Sequence, residues 1–189
     1  PEWLVRELLT ALGSEETAKL LAANNGQAPM TAMVNRTRTT VQGLIQSLEG
    51  EGVQTRPHPW LSNCLILEKT GKLERLTAFQ EGLFYIQDPA SRLAVEALSA
   101  GPGMRVLDCC AAPGGKSFAA AICMEGRGEV VSCDLHPHKK KLIQAGAGRL
   151  GLSSITPMTA DGKVFRPEWE SAFDRVLVDA PCSGLGVIR

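Results

Sequence analysis

The ten residues 108–117, DCCAAPGGKS, decide how the rest of the chain is read. A short strand-like run, RVL (105–107), precedes them, and a helix-like run, FAAAI (118–122), follows. Two adjacent glycines, a proline and a lysine between such runs describe a tight loop that cradles a ligand. Beyond it the rhythm is regular. MRVLDC (104–109), GEVVSCDL (128–135), SITPMTAD (154–161) and FDRVLVDA (173–180) read as strands, while GKSFAAAICMEG (115–126) and HPHKKKLIQAGAGRLGL (136–152) read as helices. This alternation predicts an α/β domain with a parallel, Rossmann-like sheet and helices on both faces. Ligands of such sheets sit at the carboxyl ends of the strands. Asp108 and Asp134 close the first two strands, and Asp161 and Asp179 follow the third and fourth. Only four strands are legible, so the sheet is expected to be incomplete.

The chain ahead of this sheet has a different rhythm. PEWLVRELLTALG (1–13) and SEETAKLLAANNG (14–26) read as two helices, with Gly13 as the stop of the first and Ser14 as the N-cap of the second. MTAMVN (30–35) and CLILEK (64–69) read as strands, and TTVQGLIQSLEGEG (39–52) as a helix capped by Thr39 or Thr40. LFYIQD (83–88) is a further strand candidate. DPASRLAVEALSAGPG (88–103) is a helix with Asp88 as N-cap and Pro89 at its first position. The expected organisation is N-terminal helices with a small α+β unit over 1–78, then the first part of the Rossmann-like domain over 79–189.

Composition bounds the class. The 189 residues are 44% hydrophobic and carry a formal net charge of zero. No apolar run is long enough to span a bilayer and no basic-then-apolar leader opens the sequence, so a cytoplasmic location is expected. Any nucleic-acid contact must come from a local patch rather than from overall charge. Six cysteines are present, but most lie in apolar contexts and two are adjacent, the pattern of buried thiols rather than of a disulfide framework. The start at Pro1 and the stop at Arg189 read as cuts in a longer protein.

Three ligands compete for the loop. A phosphate loop requires G-x-x-x-x-G-K-[ST]; Gly115, Lys116 and Ser117 fit, but the first glycine falls at Cys110. A dinucleotide cradle requires G-x-G-x-x-G, which the adjacent Gly114 and Gly115 cannot supply. S-adenosylmethionine requires a tight turn for its amino-acid end, a carboxylate for its ribose (Asp134) and an acceptor for its adenine amine (Asp161). Carboxylates at the strand tips suit that ligand and repel phosphate. After the fourth strand comes DAPCSGLG (179–186). A cysteine beside an aspartate there suits activation of a pyrimidine: a thiolate adds to carbon 6, carbon 5 becomes nucleophilic, and an acid on ring nitrogen 3 stabilises the adduct.

Together, DCCAAPGGKS, DLHPHK (134–139), DAPCSGLG and FQEGLFYIQDPAS (79–91) resemble the Sun/Fmu family of RNA cytosine-5 methyltransferases, and the similarity runs through essentially the whole chain. The resemblance implies that Cys110, Ala111, Ala112, Pro113, Gly114, Gly115 and Lys116 line an S-adenosylmethionine site. It implies that Asp134 holds the ribose, Asp161 lies near adenine, and Asp179 completes the pocket beside the target base. It implies RNA as the partner, ribosomal RNA foremost and tRNA second. Bacterial members of the family carry a helical domain ahead of the part represented here, and the small α+β unit would be an RNA-recognition appendage. In this family the attacking cysteine lies in a downstream T-C motif, and the cysteine of D-A-P-C-S-G assists product release. Cys182 is therefore carried over as the release cysteine, with attack by Cys182 itself the weaker option. The chain is expected to bind the methyl donor with little or no turnover. The rival classes are a phosphate-loop nucleotide-binding protein and a non-catalytic RNA-binding module on a methyltransferase scaffold.

Fainter signals are the basic run HPHKKK (136–141), read first as a solvated helix face and second as a phosphate contact, the cations Arg36, Arg38, Arg56 and His58 as phosphate contacts, and Trp60 and Tyr85, which could stack on bases although a lone aromatic is more often core or rim. Cys133, His136 and His138 lack a fourth ligand, and no metal is expected.

Overall fold

The computed structural model describes residues 1–26, 28–182 and 184. Among the described residues, those of 1–29 group with Pro181, Cys182 and Gly184, and residues 30–180 form a second unit. In the first, helix α1 (Glu2–Asn25) runs through both predicted helices but leaves helical geometry at Gly13, where φ is 76° and ψ is 173°. The expected stop is thus a kink between two helical halves, each carrying ion pairs on its own turns (Arg6–Glu2; Lys19–Glu15 and Lys19–Glu16).

The second unit holds two four-stranded sheets. The first is antiparallel, in the order β2-β3-β1-β4, from β1 (Met30–Val34), β2 (Gln54–Pro57), β3 (Cys64–Glu68) and β4 (Phe84–Ile86). The strand β4, beyond the boundary expected at 78/79, pairs with β1 in this sheet. Helix α2 (Val41–Gly50) is capped by Thr40, whose hydroxyl accepts from the Gly43 amide at 3.0 Å. The short helix α3 (Thr77–Gln80) is capped from a distance, with the Glu51 carboxylate accepting from the Thr77 and Ala78 amides at 2.6 and 3.0 Å.

The second sheet is parallel, in the order β7-β6-β5-β8, from β5 (Arg105–Asp108), β6 (Glu129–Asp134), β7 (Ile155–Thr159) and β8 (Arg175–Leu177). Helices α4 (Pro89–Leu98), α5 (Gly115–Cys123) and α6 (Pro137–Leu150) accompany it. The sequence predicts helices on both faces, but among the described residues all three share one. Val95, Phe118 and Ile143 pack there with Val106, Val130 and Ile155. The opposite face, Leu107, Val131 and Cys133, is covered by Trp169 and Phe173. The cause is topological: β5-α5-β6-α6-β7 steps twice in one direction, and crossovers of one hand taken in one direction lay both helices on one side.

One core joins the two sheets. Met33, Cys64 and Tyr85 of the antiparallel sheet pack in the same cluster as Phe118, Ala121 and Ile143. The Tyr85 and Phe118 rings meet edge to face at 6.1 Å. Phe118 also fills the space that two glycines leave open, since a Cβ on Gly114 or Gly146 would lie 2.3 or 2.4 Å from its ring. Gly82, at φ +69°, lets the turn before β4 reach the end of α6, where a Cβ would lie 2.1 Å from the Arg149 carbonyl oxygen. Asn35, fully buried, closes this junction. Its Nδ2 donates to the carbonyls of Gly82 and Leu150, both at 2.9 Å, while its Oδ1 accepts from the Thr37 hydroxyl at 2.6 Å.

Substituting Asn35→Ala strands two buried carbonyls. The expected loss is about 2–4 kcal/mol, measured as the shift in a urea unfolding midpoint; a change within error would show that the junction does not depend on this amide.

Candidate functional site

Backbone hydrogen bonds fix the glycine loop to both neighbouring strand ends. The Cys109 amide donates to the Leu177 carbonyl of β8 at 3.0 Å, and the Ala111 amide donates to the Cys133 carbonyl of β6 at 2.7 Å. Gly114, the N-cap of α5, adopts φ 114°, a left-handed conformation that favours glycine, and its amide bonds the Ala111 carbonyl at 2.7 Å. The loop walls a cavity of about 210 Å³, which residues 110–113, Gly115, Lys116 and Asp179 line.

Lys116 has the environment that discriminates between ligands. Its Nζ lies 2.7 Å from Asp179 Oδ2 and 3.3 Å from the Ser91 hydroxyl. In a phosphate cradle this ammonium faces the anion; here a carboxylate neutralises it. The thiol of Cys110 is pushed up from its ordinary value by burial and then by the charges of Asp108, Asp134 and Asp179. Carboxylates from three strand tips therefore bear on one loop residue. Such a site suits a ligand with cationic and hydroxyl groups and disfavours a triphosphate.

The four strand-tip acids differ in surroundings. Asp108, 1% exposed, accepts from the Ser117 hydroxyl at 2.7 Å, and Ser117 in turn accepts from Ser132 at 2.7 Å. Its other oxygen is buried with no hydrogen bond among the described residues. Burial raises its pKa to about 6, against the Ser117 hydrogen bond that lowers it. Asp134 ends β6 almost buried, accepting from the His136 amide at 3.1 Å, with Lys139 Nζ at 3.8 Å. Asp161 accepts from the Lys163 amide at 2.9 Å and sits in a turn whose Gly162 passes against Cys109. Asp179 is exposed apart from its pairing with Lys116.

The cavity thus brings together most of the expected loop residues and Asp179, while Gly114, Asp134 and Asp161 stand outside its lining. Cys182 is exposed and belongs with the unit of residues 1–29. In the DAPCSGLG stretch, Ser183 and residues 185–189 lie outside the described residues. Tyr85 is a core residue: burial in the shared core leaves its ring no face for a base. Sequence reasoning missed Gln87, which lines the cavity and is 7% exposed. Its amide stands beside Gly115, where a Cβ would come within 3.3 Å of Nε2. A polar residue closing a strand directly before the Asp88 cap was the available signal. Among the described residues no cluster of three His, Cys, Asp or Glu could hold a metal, and no helix is long and apolar enough to cross a membrane.

Residues 95–189 match the family model described as 16S rRNA methyltransferase RsmB/F, and residues 1–74 match the ferredoxin-like domain of RsmF/B-like methyltransferases. The probable ribosomal RNA small subunit methyltransferase B of Bacillus subtilis is 40% identical over 190 residues, an alignment taking in all of this chain and 42% of that protein. The ribosomal RNA small subunit methyltransferase B of Vibrio cholerae is 37% identical over 193 residues, again all of this chain and 43% of the relative. The chain therefore spans about two fifths of the length of these relatives. Among solved structures, a methyltransferase homolog from Pyrococcus horikoshii superposes with a TM-score of 0.79 at 28% identity, covering 93% of this chain and 57% of that one. NSun6 from Pyrococcus horikoshii, solved with SFG, reaches 0.86 at 19% identity over 98% of this chain and 71% of its own, a likeness of fold.

The Asp108 carboxyl makes stability depend on pH. Folded, it keeps its proton up to about pH 6, whereas the ordinary value is 3.8. The stabilisation is complete below the lower value and is lost as pH rises through the upper one. Relative to Asp108→Asn, the natural chain should lose up to about 3 kcal/mol between pH 4 and pH 7, read from urea unfolding at each pH. A difference independent of pH would show that the carboxyl does not titrate in this window.

Proposed function

This chain belongs to the RsmB/F methyltransferase family, and from that premise we propose that it is the donor-binding part of an enzyme that methylates carbon 5 of cytosine in RNA, with small-subunit ribosomal RNA as the substrate and tRNA as the second choice. The observation that carries the reading is the Lys116–Asp179 pair at 2.7 Å across the mouth of the glycine loop. It neutralises the cation that a phosphate ligand would need and holds the Asp179 carboxylate in the wall of the cleft.

The residues present fit S-adenosylmethionine, which supplies an electrophilic methyl group when bound. The backbone of residues 110–116 offers polar groups to its amino-acid end, held by the bonds from Cys109 and Ala111 to the flanking strands. Asp134 is assigned to the ribose hydroxyls and Asp161 to the adenine amine. Gln87, buried at the cleft wall, adds a neutral amide. Asp179, held by Lys116, is assigned to ring nitrogen 3 of the target cytosine, where a hydrogen bond relieves charge as a thiolate adds to carbon 6. Cys182 is assigned to release of the product. No Thr-Cys pair occurs in the 189 residues, so the attacking thiol of the family's T-C motif is not supplied by this sequence.

Calorimetry should detect S-adenosylmethionine and its demethylated product, and no ATP. Asp134→Ala should weaken the donor by at least tenfold, about 1.4 kcal/mol. ATP binding without a response to the donor would overturn the assignment. Carbon-5 chemistry is read separately, as tritium release from RNA carrying [5-³H]cytosine: residues 1–189 should release little, and robust release by this chain would refute the dependence on a T-C cysteine.

A further inference from the structure

A second cavity, of about 300 Å³, lies on the other side of α4 from the cleft, between that helix and the turn leading into β3. Its volume matches the lower end of sites that take small ligands, roughly 300–1,000 Å³. We infer that it accepts an unpaired guanine base of the RNA substrate, an inference that rests on the RNA-methyltransferase reading above.

The cavity combines the parts a base requires. Its floor is apolar, from Met33, Leu61 and Cys64, all buried. Trp60 stands at its edge, 55% exposed, braced edge-on by the His58 ring at 4.5 Å. A large aromatic with a solvent-facing surface is a stacking platform for a splayed-out base. The turn carrying Trp60 is pinned, because the His58 amide bonds the Cys64 carbonyl at 2.9 Å and the Asn63 carbonyl accepts from Val34 at 3.0 Å. The platform is therefore largely formed before any ligand arrives.

The polar wall selects the base. Arg92, only 7% exposed, directs Nε and Nη2 at the same oxygen of Glu96, Oε1, at 2.9 and 2.6 Å. Both residues line the cavity. Glu96 Oε2 accepts no hydrogen bond among the described residues, and the Glu96 side chain is 52% exposed. A phosphate is disfavoured, since the guanidinium is already paired with a carboxylate. Guanine presents two adjacent donors, N1–H and N2–H, to a carboxylate, and beside them the acceptor O6 to a guanidinium or amide. Adenine and cytosine present an acceptor, N1 or N3, where guanine has N1–H, and a carboxylate repels it; uracil offers the carboxylate one donor, N3–H, between two acceptors, where guanine offers two adjacent donors. Helix α4 carries Ser91 on the cleft and Arg92 and Glu96 on this cavity, so one rigid element serves both sites.

The test follows the Trp60 indole N–H signal, assigned by its loss in Trp60→Phe, during titration with nucleoside 5′-monophosphates. GMP should shift it saturably, at least tenfold more tightly than AMP or CMP. Glu96→Gln should weaken GMP by tenfold or more while binding S-adenosylmethionine as the natural chain does. Absence of a GMP response, or an equal response to all three nucleotides, in protein that binds the methyl donor and RNA overturns the pocket and leaves the proposed function standing. GMP binding at Trp60 in protein that binds no RNA overturns the assignment to an RNA base. GMP and RNA binding without affinity for the methyl donor supports the pocket and sinks the methyltransferase reading.

Discussion

The ring of Phe118 is the contact on which most of the arrangement depends. It occupies the space beside Gly114 in the glycine loop and Gly146 in α6, and it meets Tyr85 of the antiparallel sheet edge to face. Loop, helix and second sheet therefore share one side chain. The two glycines serve that ring: any Cβ at either would displace it, and the loop and α6 would move with it. Cores packed to crystal density transmit such displacements rather than absorb them. The shape of the cleft is thus set by a residue that does not line it.

Around that fixed point the loop is held by backbone groups. The amides of Cys109 and Ala111 reach opposite neighbours, β8 and β6, so the bend is clamped at the centre of the parallel sheet. Side chains are left to do chemistry. The resulting pattern has a buried Asp108 locked to Ser117 and Ser132, a nearly buried Asp134 and an exposed Asp179 paired with Lys116. Acids that look equivalent in sequence have become a structural group and candidate ligand groups.

The strands of the parallel sheet, the caps by Thr40 and Asp88 and the break at Gly13 were legible because each rests on local chemistry: apolar runs, capping side chains, glycine. The strand β2 was not. QTRP is polar, mostly exposed and ends in proline, features of an edge strand that carries no burial signal. The strand-tip acids could be counted from sequence, but their orientation could not, since it depends on which neighbours face them. For the same reason the sequence leaves open whether Tyr85 stacks on a base or packs inside, and the structure puts it in the core. Gln87 escaped notice because its neighbours, Thr31 and Gly115, lie on distant elements.

Strand β4 and the start of α4 fall between the two segments that match separate family models, residues 1–74 and 95–189. Yet β4 completes the antiparallel sheet and contributes Tyr85 to the core beneath the parallel one. The linker between the matched segments is therefore shared interior. Residues 30–180 should melt in a single cooperative transition, since a cut before β4 would leave β1 without its edge partner and a cut after it would take Tyr85 out of the core beneath the parallel sheet. Modularity in this molecule belongs to the sequence families and not to the folding unit.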